Sequence, residues 1–464
     1  MAGQRLDFEI DEALEASLVT PRAGVASLIE VFRQSGAAAV IETRVKIKAR
    51  KRGLSSSQMV ESLLALWAAG GERCEDLNQL REDKALEVLL GHELPAAQTA
   101  RDFLCGFHDD ELPLLHAGKS TIPSENAPLL GLAAANQELV LDLQCRKPER
   151  TATLDVDATM IVSAKRAAKR GYEGERGYQP VLVLWAEQDV IVADEFRDGN
   201  VPATIGNARI IAKAVAALPG QFDHIYVRGD SALYEHATLG SMEERGIGYA
   251  ISADMHGPLK AAIMALPERV WRLDCFDEEG GVREWAEVDF VPDDNNYKKD
   301  RDPPLRRYLA IRRRRAQADL LAAGADIKHF CIVTNRDDPK GGSGLDIIRW
   351  HRGKAGTIEH AHDVLMNELA GWALPSQRFG ANAAWLRLNV LLYNLLSAYK
   401  RVGLPVDFHD ARPKRLRFLF INSVGKVVRH ARETLLRFTN VISRTLANTP
   451  RAIFNTPRPD LAGV

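Results

Sequence analysis

Four carboxylates are spaced in a way that suits metal-assisted chemistry on a phosphate: Asp155, Asp157, Asp230 and Glu359. Asp155 and Asp157 sit two apart in the run LDVDATMIV, so on a strand both side chains leave from one face. Asp230 lies in Arg228-Gly229-Asp230-Ser231, just past the short run HIYVR, where Gly229 lets the chain bend. Glu359 falls near the start of a helical pattern. Each alone has an ordinary explanation. An Asp after a strand is commonly a cap or turn former, and a Glu in a first helical turn complements the helix dipole. Two carboxylates on one strand face are less ordinary, because burying them side by side is costly without a cation. Carboxylates at the tips of two neighbouring central strands and a third on a helix can converge. Such a trio holds two hard divalent cations and leaves positions open for water and phosphate. Two metals a few Å apart activate the attacking oxygen and stabilise the leaving one.

Other chemistries fit poorly. The chain has no G-x-S-x-G elbow and no GxxxxGK[ST] phosphate loop. His351, His360 and His362 surround Glu359, but His360 and His362 are two apart and point to different faces of a helix. They are expected to be polar helix-surface histidines near a phosphate-binding site rather than zinc ligands. The tetrapeptide RGDS at 228–231 is taken as accidental.

The elements that must position these residues form an alternating pattern. Residues 1–150 read as a helical accessory domain, with helices over Ser55–Trp67, Leu77–Leu90 and Ala96–Phe107. From Thr151 the pattern changes to strands: Leu154–Val162, Pro180–Trp185 and Asp189–Phe196, an expected antiparallel meander with a tight turn at Glu187–Asp189. A helix over Thr204–Leu218, the strand His224–Arg228, a helix over Leu233–Arg245 and the strand Ile247–Ile251 follow. This order implies an α/β fold with a mixed sheet, over 151–254 and again over 341–400. Residues 255–340 read as a β-rich insertion with strands at Trp285–Val291, Arg307–Ile311 and Phe330–Val333. Helices return over Gly356–Leu369 and Ala381–Tyr399, and the basic region 401–464 is expected to hold a helix over Lys426–Phe438.

Composition bounds the class. The 464 residues are 46% hydrophobic and 27% charged, which fits a multidomain globular protein and excludes wholesale disorder. The most apolar run, Trp385–Tyr399, is interrupted by Arg387, Asn389 and Asn394, so no membrane span is expected. The acidic first 25 residues are wrong for a secretory signal. Five scattered cysteines without a CxxC pair argue for a reducing compartment and against a disulfide framework. The formal net charge of −1 hides a gradient: from Arg401 onward 12 Lys or Arg face 4 Asp or Glu. Two further basic runs lie at Arg44–Arg52 and at Arg306, Arg307 and Arg312–Arg315. Three separated runs in an otherwise neutral chain favour an extended polyanion as partner.

The motifs taken together resemble a known family. LDV-Asp157-Ala-Thr, Arg228-Gly-Asp-Ser-Ala-Leu-Tyr and Lys354-Ala-Gly-Thr-Ile-Glu-His are similar to DDE transposases of bacterial insertion sequences, specifically the IS1380 group within the IS4-like set. GYEGERGYQPVLVLW with FRDGN, RFGANAAWLRLNVLLYNLLSAYK and PKRLRFLFINSVGKVVRHAR extend the likeness over most of the chain. The resemblance implies an RNase H-like core with a β-rich insertion between the second and third acidic residues. The 129-residue gap from Asp230 to Glu359, against 73 from Asp157 to Asp230, has room for it. It implies Asp157, Asp230 and Glu359 as catalytic residues and ligands of two Mg²⁺, for which Mn²⁺ can substitute, with Asp155 tuning the site without being a ligand. Wider relatives carry a Tyr, an Arg and a Lys around the Glu, where this chain has Arg352, Ala355 and Met366. Arg352 and Lys354 are therefore expected to supply the phosphate contacts from nearby, and Arg228 is expected to contact DNA as well. Implied partners are terminal inverted repeats and target DNA, bound by a homodimer through the N-terminal helices and basic tail, in the bacterial cytoplasm at the nucleoid. A metal-dependent nuclease without strand transfer and a decayed DNA-binding regulator stand as alternatives.

Overall fold

The computed structural model describes residues 18–47, 53–276, 281–292, 306–314, 327–336, 343–430 and 433–461. The end of the Arg44–Arg52 run, Arg315 and most of the hydrophilic stretch PDDNNYKKDRDPP lie outside them.

The amino-terminal part is helical, as its periodicity predicts. Ser55 caps the helix Ser56–Ala69 in a reciprocal capping box with Gln58. The expected helix over Leu77–Leu90 is two, Asp76–Leu80 and Lys84–Leu90, because Asp83 interrupts the pattern and caps the second through the Leu86 amide. The long helix α1 (Ala127–Arg146) starts at Asn126, whose side chain accepts from Leu129 N, with Pro128 in the first turn.

The core begins with β1 (Thr151–Ala158), β2 (Val181–Trp185) and β3 (Val190–Glu195), an antiparallel meander. Asp189, at φ 53°, makes the turn between the last two. Helix α2 (Asn207–Ala217) leads to β4 (His224–Gly229), and α3 (His236–Glu243) leads to β5 (Gly248–Ser252). β4 runs parallel to both β1 and β5. The spatial order 3-2-1-4-5, antiparallel on one side and parallel on the other, is the RNase H-like arrangement.

The insertion continues the same sheet rather than forming a separate one. β6 (Arg272–Phe276), β7 (Val282–Val288), β8 (Arg307–Arg314) and β9 (Ile327–Thr334) pair antiparallel in sequence, and β9 docks antiparallel on β5. The result is one nine-stranded sheet, 6-7-8-9-5-4-1-2-3. The chain returns through α4 (Gly344–Arg352), a 3₁₀ turn over Gly353–Gly356, α5 (Ile358–Asn367) and α6 (Phe379–Gly403).

The tail departs from expectation. Lys426–Phe438 is not a helix but the hairpin β10 (Gly425–His430) and β11 (Glu433–Phe438), and the helix comes later, over Val441–Phe454. β10 pairs with Val19–Thr20, more than 400 positions away. The β-branched pair Val427-Val428 suits a strand, and that distant partner decides against the local helical spacing. One hydrophobic cluster then runs from Val25 through the sheet to Phe454. All five cysteines are free. No helix among the described residues is long and apolar enough to cross a membrane.

Candidate active site

Because β1 and β4 are parallel neighbours, their carboxyl ends reach the same edge of the sheet. Asp157 is the penultimate residue of β1, and Asp230 directly follows β4. Arg228 is in register with Asp155 and Gly229 with Val156, so Asp230 comes next in line with Asp157. Asp230 caps the short 3₁₀ turn Ser231–Leu233, accepting from Ala232 N at 3.0 Å. Gly229 suits the close approach there: a Cβ would lie 2.1 Å from the Leu233 side chain folded over it, which would have to shift. Glu359 stands in the first turn of α5, which packs across β1 and β2.

The electrostatics couple the three carboxylates. Burial, and then the charge of Asp230, pushes the Asp157 carboxyl up from 3.8 to about 6, with Glu359 adding to the effect and Lys354 opposing it. Lys354, in the 3₁₀ turn before α5, donates to Glu359 Oε1 at 2.9 Å. Burial alone would lower its pKa. The hydrogen bond and charge of Glu359, reinforced by Asp157 and Asp230, outweigh that and hold the ammonium above its ordinary value. Lys354, expected as a DNA contact, is thus the cation at the acidic centre.

Asp155 points to the same side as Asp157 but is committed elsewhere. It is fully buried and receives Arg228 Nε at 2.6 Å and Nη2 at 2.7 Å, together with the Thr357 hydroxyl. Arg228 also donates to Trp350 O at 2.6 Å and lies over the Trp350 ring. Arg228 is expected to contact DNA, but its side chain is only 6% exposed and is held by Asp155 and the Trp350 carbonyl. The cost of two adjacent carboxylates is therefore met in half by a guanidinium. Arg352 pairs with Asp274 of β6, joining α4 to the insertion. Ala355 is exposed in the 3₁₀ turn, and Met366 packs against the core.

The histidines also differ from expectation. His351 and His362 are buried, not on the helix surface. His351 donates from Nε2 to Gly229 O at 3.0 Å. Burial depresses both pKa values to about 4, so both rings are neutral at pH 7. Neither ring nitrogen of His362 has a hydrogen-bond partner, and its Nε2 lies 3.6 Å from Asp157 Oδ2.

This donor set fits a hard divalent cation in its chemistry: carboxylate oxygens with excess negative charge beside orphaned buried imidazole nitrogens. Among the described residues, no three or more His, Cys, Asp or Glu are already gathered around one point, and Glu359 is turned onto Lys354.

The family model described as transposase DDE domain group 1 matches residues 10–453. The chain belongs to this family of DDE transposases. It is accordingly a DNA transposase by family, and such enzymes generally work with divalent metal ions. A solved structure similar to this one is the piggyBac transposase synaptic complex with hairpin DNA, at 10% identity, covering 87% of this chain and 80% of that chain, with a TM-score of 0.43. No curated protein matches the chain.

Two features escaped sequence reasoning. The Asp155–Arg228 pair was signalled by a charged residue directly after the apolar centre of a strand, a position that needs a countercharge when buried. The third basic run is largely neutralised: Arg306 pairs with Glu243, Arg307 with Glu287, and Arg312 and Arg314 with Glu268 and Glu284. Much of its charge is thus spent within the protein.

Proposed function

We propose that this transposase is of the IS1380 type and moves the insertion sequence that encodes it. It binds the terminal inverted repeats as a homodimer on DNA in the bacterial cytoplasm, cuts at the element ends and joins the freed 3′-hydroxyl to target DNA. The observation that carries this reading is that Asp157 and Asp230 stand at the tips of two parallel neighbouring strands, with Glu359 in the first turn of α5, the helix packed across β1 and β2.

Asp157, Asp230 and Glu359 are the residues that would hold Mg²⁺ or Mn²⁺, two ions per site. The ions would activate the attacking oxygen and stabilise the leaving one. The protein's own part is positional. Gly229 and the Ser231–Leu233 turn aim Asp230, while Thr357, held by Asp155, seats the first turn of α5 and hence Glu359. Lys354 neutralises the carboxylates and can pass to a phosphate oxygen once a cation takes its place. Arg352, 30% exposed at the junction with the insertion, is the second phosphate contact of this reading. The N-terminal helices and the basic tail recognise the ends, where phosphate contacts set affinity and a few base contacts set sequence choice.

The test is cleavage of a linear duplex carrying the element's own terminal repeat, with Mg²⁺, for wild type and Asp230→Ala. The expected result is cutting at the repeat boundary by wild type alone, with DNA binding retained by both. Cutting by the variant would remove Asp230 from the site. Pre-cut ends that are never joined to target DNA would reduce the activity to that of a nuclease.

A further inference from the structure

The buried surroundings of the acidic centre contain one unexplained group. His362 follows Glu359 by three residues on α5, so the two side chains share a helix face. It is buried, yet both Nδ1 and Nε2 lack a hydrogen-bond partner. Buried polar groups are nearly always satisfied, and leaving one unsatisfied costs roughly 1–3 kcal/mol. The contrast with His351 is direct. That ring is equally buried, but it donates to the Gly229 carbonyl and needs nothing else to explain it.

The position of His362 says what would satisfy it. Its Nε2 stands 3.6 Å from Asp157 Oδ2, beyond hydrogen-bond range. Two donors sharing one cation are expected at about that separation. Bonds of about 2.0–2.2 Å place neighbouring ligands about 3–3.5 Å apart. A ring that faces a carboxylate, lacks any other partner and sits one turn from a second carboxylate has the setting of a ligand.

We propose that His362 is a nitrogen ligand of the divalent cation held by Asp157, an inference that rests on the transposase reading of this site. The group that binds is the lone pair of the neutral ring, so no proton has to leave His362. One imidazole among carboxylates shifts the site's preference from Mg²⁺ towards Mn²⁺, Co²⁺ or Zn²⁺, which accept nitrogen more readily. His360, two residues earlier and more exposed, serves as a control.

The experiment loads the full chain with Mn²⁺ and reads directly coordinated ¹⁴N by pulsed electron paramagnetic resonance, with Mn²⁺ and Mg²⁺ affinities from calorimetry. Wild type and His360→Ala should show imidazole coupling, and His362→Asn should lose it. Mn²⁺ affinity should fall by about tenfold or more in His362→Asn, at least the loss typical of a removed supporting residue at a metal site. Mg²⁺ affinity should fall less. The wild-type spectrum decides even if the variant folds poorly. Mn²⁺ binding that is abolished by Asp157→Ala but shows no nitrogen coupling in wild type overturns the assignment of His362 alone. Mn²⁺ binding indifferent to Asp157→Ala overturns both that assignment and the metal site on which it rests.

Discussion

Breaking the Asp155–Arg228 pair should unfold the active-site edge before it affects DNA binding. The pair is buried, with Asp155 fully enclosed and the Arg228 side chain 6% exposed. Arg228→Met removes two charge-assisted bonds of 2.6 and 2.7 Å and leaves Asp155 with only the Thr357 hydroxyl among its side-chain partners. Asp155→Leu leaves a buried guanidinium whose strongest remaining contact is the Trp350 carbonyl. Removing one member of a buried pair costs about 3–5 kcal/mol, whereas replacing both with well-packed apolar groups is often close to neutral. Each single variant should therefore lose about 3–5 kcal/mol, and the double variant should lose less than either. The coupling, taken in a double-mutant cycle of urea unfolding as the loss in the double variant minus the losses in the two single variants, should be negative and about 3 kcal/mol or more in size.

The same cycle tests the competing role for Arg228. A phosphate contact would show as a weaker salt dependence of binding to duplex DNA, with the slope reduced by about one when the contact is lost. Should Arg228→Met change that slope and leave the unfolding midpoint where it was, the reasoning from burial would be refuted. Cleavage should fall at least as far as stability here, because Thr357 links Asp155 to the turn that carries Glu359. The double variant is expected to recover folding more fully than cleavage.

Two further predictions concern charge. The Asp157 carboxyl binds its proton more tightly in the folded state than in the unfolded chain, so the metal-free protein loses stability as pH rises from 3.8 to about 6. Asp157→Asn should therefore stabilise the metal-free protein in chelator at pH 7.5 by on the order of 3 kcal/mol at most, seen as a higher melting temperature, with no gain below pH 4. Divalent cation should stabilise wild type more than this variant, and equal melting at pH 7.5 in chelator would refute the account. Arg387 lies buried between Asp194, at 2.7 Å, and Glu125, whose carboxyl the buried guanidinium and Lys213 bring down to about 2 against the effect of burial. Arg387→Met should cost about 3–5 kcal/mol in chemical unfolding, while Arg150→Met, at an exposed pair with Asp223, should leave the midpoint unchanged.

What could be read in the sequence was what local chemistry determines. Alternation located β1, β2 and β3, and the helical spacing of α2, α5 and α6 was plain. Asp157 and Asp230 were legible as strand-tip residues because the type and order of the elements determine where strand ends meet. Partners distant in sequence were not legible. Arg228 reaches Asp155 across 73 positions and Trp350 across 122, and its place after the apolar centre of a strand does not say which partners it takes. The tail hairpin was misread for the same reason, since its pairing with Val19–Thr20 is invisible to a short window. The burial of His362 depends on which face of α5 meets β1, a matter of packing rather than of spacing within the helix.

The polar residues that interrupt α6 show why the site needs so much structure behind it. Arg387, Asn389 and Asn394 break an apolar run in the sequence, yet all three are buried. Asn394 accepts from Ile191 N at 2.7 Å and donates to Ile191 O at 2.8 Å and to Asn136 of α1. Ile191 lies on β3, the last strand of the sheet, so these side chains occupy backbone groups that an open edge would leave unpaired. Arg387 ties the same strand at Asp194 to the Leu129 carbonyl of α1. β3 is thereby clamped between two helices, β2 is held by β3, and β1 with Asp157 is held by β2. On the opposite side, Asp155 and Arg228 join β1 to β4, and through Trp350 and Thr357 to α4 and the start of α5. The carboxylates are therefore set by two chains of buried polar contacts behind them. Substitutions along either chain should disturb the relative placement of Asp157, Asp230 and Glu359 as surely as substitutions at the site itself.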